Sequence, residues 1–236
     1  MLNHYSTTKR KIFLAASKLF SQKCYADVGI REIAIEAGVK VPTVYNHYPS
    51  KEAILDDLLQ FFMDRISADY NSAEMLDIGK EDPLASFKKI LFTFDATESE
   101  LMRQLMRIVF NEQYRSPLAA KILYDVMLRG GKTIDYAFLS RLKNKGMIQC
   151  EDIDSLAEVF TRVAVTFAMQ YVRDDEMEQR PDYENVMMRL LKLILNDSSP
   201  QEQDKFQDDG QAWTNHGLQN TLQYCNIWND DAEQLL

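Results

Sequence analysis

Between Lys40 and Lys51 the chain carries Thr43, Tyr45, Asn46 and His47. One short segment thus gathers hydroxyl, amide, imidazole and ammonium groups. Hydroxyls, amides and imidazoles bond phosphate oxygens or base edges, and ammonium groups neutralise phosphate. Few of these residues favour a helix interior, and a helix kept for packing alone would carry more Leu or Ala. The set suits a surface that meets a duplex. Tyr45, His47 and Lys51 fit phosphate contacts best, whereas Thr43 and Asn46 fit base edges. Ser50 is suited to cap a helix beginning at Lys51, and that helix start would present free N–H groups and a positive dipole end to a phosphate. A polar helical hairpin with no nucleic-acid partner is the plain alternative.

Two short helical patterns position these groups. Residues 29–52 read GIREIAIEAGVKVPTVYNHYPSKE. Ile30, Ile33, Ala34 and Ala37 recur at helical spacing, and Gly38 follows where a helix ends in a left-handed residue. A second segment, Val41 to His47, runs into Pro49-Ser50, which disfavours its continuation. Two helices across a tight glycine turn are the sequence form of a helix-turn-helix, whose second helix enters the major groove.

The first fifty-five residues resemble the DNA-binding domain of the tetracycline-repressor (TetR) family of bacterial transcription regulators. The matching text is IFLAASKLF from Ile12, then IREIAIEAGV, then TVYNHYPSKEAIL, the last being the most specific. Two departures stand out. The family usually has Gly-Tyr before the second helix and Thr or Ser as its cap, where this chain has Cys24-Tyr25 and Gly29. It usually has Ser or Thr after the Gly-Val turn, where this chain has Lys40. Gly29 still caps a helix adequately, and Lys40 exchanges a capping hydroxyl for a cation.

Charge divides along the chain in the same sense. The net charge is −9, but residues 1–51 hold eight basic and three acidic residues, net +5, and residues 52–236 carry net −14. A basic head on an acidic body approaches a duplex through one face and is repelled through the rest. Cys24, Cys150 and Cys225 form no CxxC pair, which argues against a zinc site or a disulfide framework and fits a reduced, cytoplasmic setting. The N-terminus lacks the apolar stretch of a signal peptide, and no apolar run reaches the roughly 18 residues of a membrane span.

The expected fold class is all-α, with an N-terminal three-helix DNA-binding domain over residues 1–50 and a helical body over 51–197. An acidic polar tail follows over 198–236, with a short docked helix in it. The first helix is expected from about Thr8 to Lys23 with Ser6 or Thr7 as cap, and its Lys9, Arg10 and Lys11 oppose the helix dipole. Residues 51 to about 74 predict the connecting helix. Breaks are expected at Thr97-Glu98, Arg115 to Pro117, Gly130-Gly131, Asn144 to Gly146 and Arg180-Pro181. Helices over 153–172 and 183–195 are apolar around much of their girth, so they need cover on several sides. The resemblance implies that these two helices meet their copies in a homodimer, with Phe160, Val163, Phe167, Met187, Leu190, Leu191 and Ile194 at the interface.

Enzyme chemistry finds little footing. His4, His47 and His216 stand in unrelated contexts, and no HExxH pattern occurs. Asp56-Asp57 reads as solvated surface, because adjacent residues do not face each other on a helix. Gly130-Gly131-Lys132-Thr133 lacks the first glycine of a phosphate loop. No catalytic residue, metal or cofactor is expected. The resemblance implies a small-molecule effector within the body, for which Phe62, Met102, Met106, Phe110, Tyr114, Tyr124, Met127, Phe167 and Tyr171 are the candidate lining, with Phe92, Phe94 and Phe138 nearby. Aromatic rings and methionine sulfur suit a hydrophobic, neutral or cationic compound. The expectation is a DNA-binding regulator, a repressor of a near-palindromic operator released by that effector, with no membrane association. The rival is a ligand-binding or interaction protein whose helix-turn-helix no longer engages DNA.

Overall fold

The computed structural model of the protein describes residues 5–70, 100–173 and 183–195. The tail over 198–236, Phe92, Phe94 and the breaks at Thr97-Glu98 and Arg180-Pro181 lie outside the described residues. Among those residues the fold is all helical. One isolated antiparallel bridge joins Ile148 to Leu195 and founds no strand.

Helix α1 (Thr7–Gln22) starts where Ser6 Oγ accepts the Lys9 N–H at 3.2 Å. Its buried Ile12, Phe13, Ala16, Leu19 and Phe20 follow the helical repeat. A 3-10 turn (Tyr25–Asp27) leads to α2 (Ile30–Glu36) and then α3 (Val41–Tyr45). Gly38 ends α2 at φ +65°, and the Val39 N–H reaches back to the Ala34 carbonyl at 2.9 Å. A left-handed residue there closes the helix without a Cβ penalty. Helix α4 (Lys51–Tyr70) is capped as expected, since Ser50 Oγ accepts the Ala53 N–H at 3.1 Å.

The body begins with α5 (Glu100–Glu112), whose Met102, Leu105, Met106 and Val109 form one buried stripe. Ser116 then caps α6 (Pro117–Lys121) through the Ala119 N–H. A π-helical segment (Ile122–Gly130) runs straight into α7 (Gly131–Asn144). The break expected at Gly130-Gly131 is therefore absent. Both glycines are buried in right-handed helical geometry, where burial outweighs their weak helix preference. Gly146, at φ +69°, ends α7 as Gly38 ends α2.

Helix α8 (Ile153–Arg173) packs most extensively on α7, and Ala157, Ala164 and Ala168 leave room for close approach. Arg107 of α5 donates Nε to the Val172 carbonyl and so ties down the end of α8. Helix α9 (Tyr183–Ile194) lies against α8. One apolar core runs from α1 through α4 and α5 to the end of α8, and a second joins α7, α8 and Leu191. The first core crosses residue 50, so head and body share their packing. Ser17, wholly buried on α1, reinforces the joint by donating to Gln104 Oε1 of α5 at 2.9 Å.

Candidate nucleic-acid interface

Helix α3 is short because its sequence permits little more. Pro42 sits in its first turn, Val44 is its one fully buried residue, and Pro49 follows closely. Lys40 occupies the cap position and gives no side-chain hydrogen bond. Anchored through Val44, the helix turns Lys40, Tyr45 and Asn46 to the surface and leaves Thr43 and His47 half-buried. Among the described residues, none of these five side chains makes a hydrogen bond, ion pair or ring contact. Five polar groups on one outer surface therefore have their bonding capacity free.

The scaffold beneath is different. Asp57 of α4 accepts the Tyr48 hydroxyl at 2.6 Å and the Tyr5 hydroxyl at 2.9 Å, and pairs with Lys9 at 3.1 Å. The same ammonium lies 4.5 Å from the Tyr5 ring centroid and 5.0 Å from that of Tyr48. Burial first, and then the bond to Asp57, raise the Tyr5 and Tyr48 phenols well above their ordinary range, so both remain protonated donors. Asp57 is thus no solvated surface residue. It joins the N-terminal segment, α1, the end of α3 and α4. Lys9 likewise faces a carboxylate of its own chain, which resolves the dipole conflict internally.

Lys51 also turns inward. Its Nζ donates to the Tyr25 carbonyl at 2.7 Å and the Val28 carbonyl at 2.9 Å, and sits 4.1 Å from the Tyr25 ring centroid. On the other side of that 3-10 turn, Glu112 at the end of α5 accepts the Tyr25 N–H at 3.2 Å. Two of the three Lys51 donors are therefore spent on holding the turn before α2. Sequence reasoning missed Asp57, Tyr5 and Glu112, because their partners are remote in the chain.

The body candidates separate into three groups. Phe62, Met102, Met106 and Met127 are buried together, and Phe110 and Phe167 are half-buried. Tyr114 is 87% exposed and Tyr124 56% exposed, so neither fits the lining of an interior pocket. The Tyr171 side chain lies outside the description. Among the interface candidates, Phe160 and Leu191 are enclosed within their own protomer, which removes them from any shared face. Val163, Phe167, Leu190 and Ile194 are half-buried, and the Met187 side chain is not described. Among the described side chains, α8 and α9 expose the apolar Val159, Met169 and Leu193, the last at 81%. No described helix is long and apolar enough to cross a membrane, and no three described His, Cys, Asp or Glu residues group as metal ligands.

The family model for bacterial regulatory proteins of the tetR family matches residues 12–58, which run from α1 into α4. The chain is 32% identical over 62 residues to the HTH-type transcriptional regulator EthR of Mycolicibacterium smegmatis, covering 26% of this chain and 29% of that protein. It spans less than half the length of each curated relative it matches. Solved structures extend the likeness of fold. The ketosteroid transcriptional regulator KstR2 of Mycobacterium tuberculosis superposes with TM-score 0.63 at 20% identity, over 81% of this chain and 97% of that one. A regulator from Saccharomonospora viridis, solved in complex with choline, gives TM-score 0.61 at 18% identity, over 81% and 100%. Residues 12–58 thus carry the N-terminal domain of the tetR family of bacterial regulatory proteins, and the described helical body is similar in fold to that of solved regulators.

Proposed function

We propose that this chain is a homodimeric, sequence-specific transcription regulator that reads double-stranded DNA through the outer surface of α3. The observation that carries the reading is the set of unengaged polar side chains, Lys40, Thr43, Tyr45, Asn46 and His47, on a helix held from behind by Val44. A protein gains no stability by displaying them together, whereas a duplex offers each a partner. Thr43 and Asn46 are assigned to base edges, and Lys40, Tyr45 and His47 to phosphates. Lys51 acts chiefly by fixing the turn before α2, with one donor left for a phosphate.

The functional division places DNA recognition in residues 1–50, effector binding and dimerisation in 51–197, and an acidic tail in 198–236. A dimer presents two α3 helices to successive major grooves of a near-palindromic operator. The shared face is assigned to Val159, Val163, Leu190, Leu193 and Ile194. Leu190→Glu places a charge in that face and should shift the protein to monomer in sedimentation, with loss of operator binding. The effector is proposed to be hydrophobic and neutral or cationic, and to relieve repression by parting the methionine-lined packing around Met102, Met106 and Met127. The relative that binds choline supports a cationic member of that class. Sequencing the genomic fragments retained by the purified protein tests the reading, which predicts enrichment of one two-fold-symmetric site. Unenriched recovery would overturn it.

A further inference from the structure

Helix α5 reaches both the head and α8 through hydrogen-bonding side chains. Gln104 Oε1 accepts at 2.9 Å the hydroxyl of Ser17, which is wholly buried on α1 and also reaches the Leu14 carbonyl. Glu112, the last residue of the helix and only 2% exposed, accepts the Tyr25 N–H through Oε1 at 3.2 Å. Arg107, between them, donates to the Val172 carbonyl near the end of α8. Both bonds to the head join residues 87 positions apart, so α5 runs parallel to α1 in register and on to the turn beyond it. Gln104 and Glu112 stand about 12 Å apart along the helix axis. One bond would leave a pivot, whereas two so spaced fix the angle between α5 and the head.

The second bond falls on a residue that other elements hold as well. The Tyr25 carbonyl accepts the Lys51 ammonium at 2.7 Å, and the Tyr25 ring meets Phe20 of α1 edge-on at 5.2 Å. Helices α4 and α1 thus hold its carbonyl and ring, and the body holds its N–H through Glu112. The turn that Tyr25 opens sets where α2 starts, and the Gly38 turn carries that direction into α3. The Glu112 carbonyl accepts the Arg115 and Ser116 N–H groups at 2.9 and 2.8 Å, in the turn where Ser116 caps α6. A carboxylate on a backbone N–H holds more strongly than a neutral acceptor. Neither Gln104 nor Glu112 belongs to the outer surface of α3.

Resting on the assignment of α3 to DNA, we propose that Gln104 and Glu112 are positioning residues for recognition. Through them the setting of α5 in the body fixes the angle at which α2 and α3 meet the duplex. They act on affinity by holding the head in its bound orientation before DNA arrives. Arg107 extends the linkage to α8, so the body reaches the head through one helix.

The test is affinity for a genomic duplex recovered by the parent protein, with unfolding temperature and amide exchange at Tyr25 measured alongside. Glu112→Leu removes the acceptor at similar volume and should weaken binding about tenfold, the weight of one bond to a charged group. It should quicken exchange at Tyr25 and leave the salt slope and preferred sequence unchanged, because no DNA contact is lost. Glu112→Gln keeps an acceptor and should retain the parent's affinity and its protection of the Tyr25 N–H. Ser17→Ala places a strong helix former in α1 and should weaken binding about threefold without unfolding the protein. Parent-like affinity in Ser17→Ala, or in a folded Glu112→Leu, would overturn the proposal while leaving α3 as the reader. Equal weakening by Glu112→Leu and Glu112→Gln would also overturn it, since the charge and not the bond would then matter. A parent that retains no duplex would remove the assignment of α3, and this inference with it.

Discussion

The outer surface of α3 and the seam between α1 and α4 lie close together and use similar residues, yet treat them in opposite ways. In the seam, Tyr5, Lys9, Tyr48 and Asp57 answer one another's donors and acceptors. On and beside α3, five polar side chains have no partner among the described residues. The difference teaches how this head divides its labour. Groups with internal partners set the angle and depth of α3, and groups without them are left for an external one. Residue type alone does not separate the classes, since tyrosine and lysine occur in both.

The contrast can be pressed hardest at a third kind of polar site. Asp135 of α7 is buried against α8 with the Thr161 hydroxyl as its partner, and burial pushes its carboxyl up to about 7, the hydroxyl only partly opposing. The folded-state value lies above the unfolded one. The stability it carries is therefore complete below about pH 4 and is lost as pH rises to about 7. Across that window the loss is on the order of 4 kcal/mol. Asp135→Asn keeps an acceptor for Thr161 and removes the titration. Its unfolding temperature should gain on the parent between pH 5 and pH 8, and parallel profiles would refute the assignment.

Next in size is the seam itself. Asp57→Ala leaves the Tyr48 hydroxyl buried without an acceptor and should cost about 2–4 kcal/mol by denaturant unfolding. A smaller loss, about 1–3 kcal/mol, is expected for Lys51→Met, which removes the ammonium from the Val28 carbonyl and leaves the Tyr25 carbonyl only the Val28 N–H. The same variant should make the salt dependence of DNA binding no more than one phosphate shallower, a slope change of about 0.9. A stability unchanged by Lys51→Met, with a full loss of DNA affinity, would move Lys51 from the seam to the surface class.

The smallest expected effect on stability belongs to α3. Tyr45→Ala should alter the unfolding free energy by less than about 0.5 kcal/mol, because an exposed side chain without partners has little to lose. A larger destabilisation would mean that the α3 surface is structural after all.

Local rules explain why so much of the head was legible in sequence. Gly38 had to be left-handed, Ser50 had to cap, and Ile33, Ala34 and Ala37 had to face inward, all within single turns of chain. Asp57 was misread because its partner Tyr5 lies 52 residues away, and adjacency to Asp56 suggested solvent. In the body, Tyr124 falls in the π-helical segment, whose i→i+5 hydrogen bonds shift the helical phase away from the spacing a sequence reader assumes. Phe160 and Leu191 mark another limit. A helix apolar on several sides declares that it needs cover, but not whether its own chain or a copy supplies each part.

The central claim is that the unengaged residues of α3 read DNA. The most direct test compares the parent with the Thr43→Ala/Asn46→Ala variant on a genomic duplex recovered by the purified protein, measuring affinity over a range of salt together with the unfolding temperature. The account predicts an unchanged unfolding temperature and an unchanged salt slope. It also predicts a loss of roughly 1–3 kcal/mol of discrimination for each base contact removed. Retention of full affinity and sequence preference by that variant would contradict it.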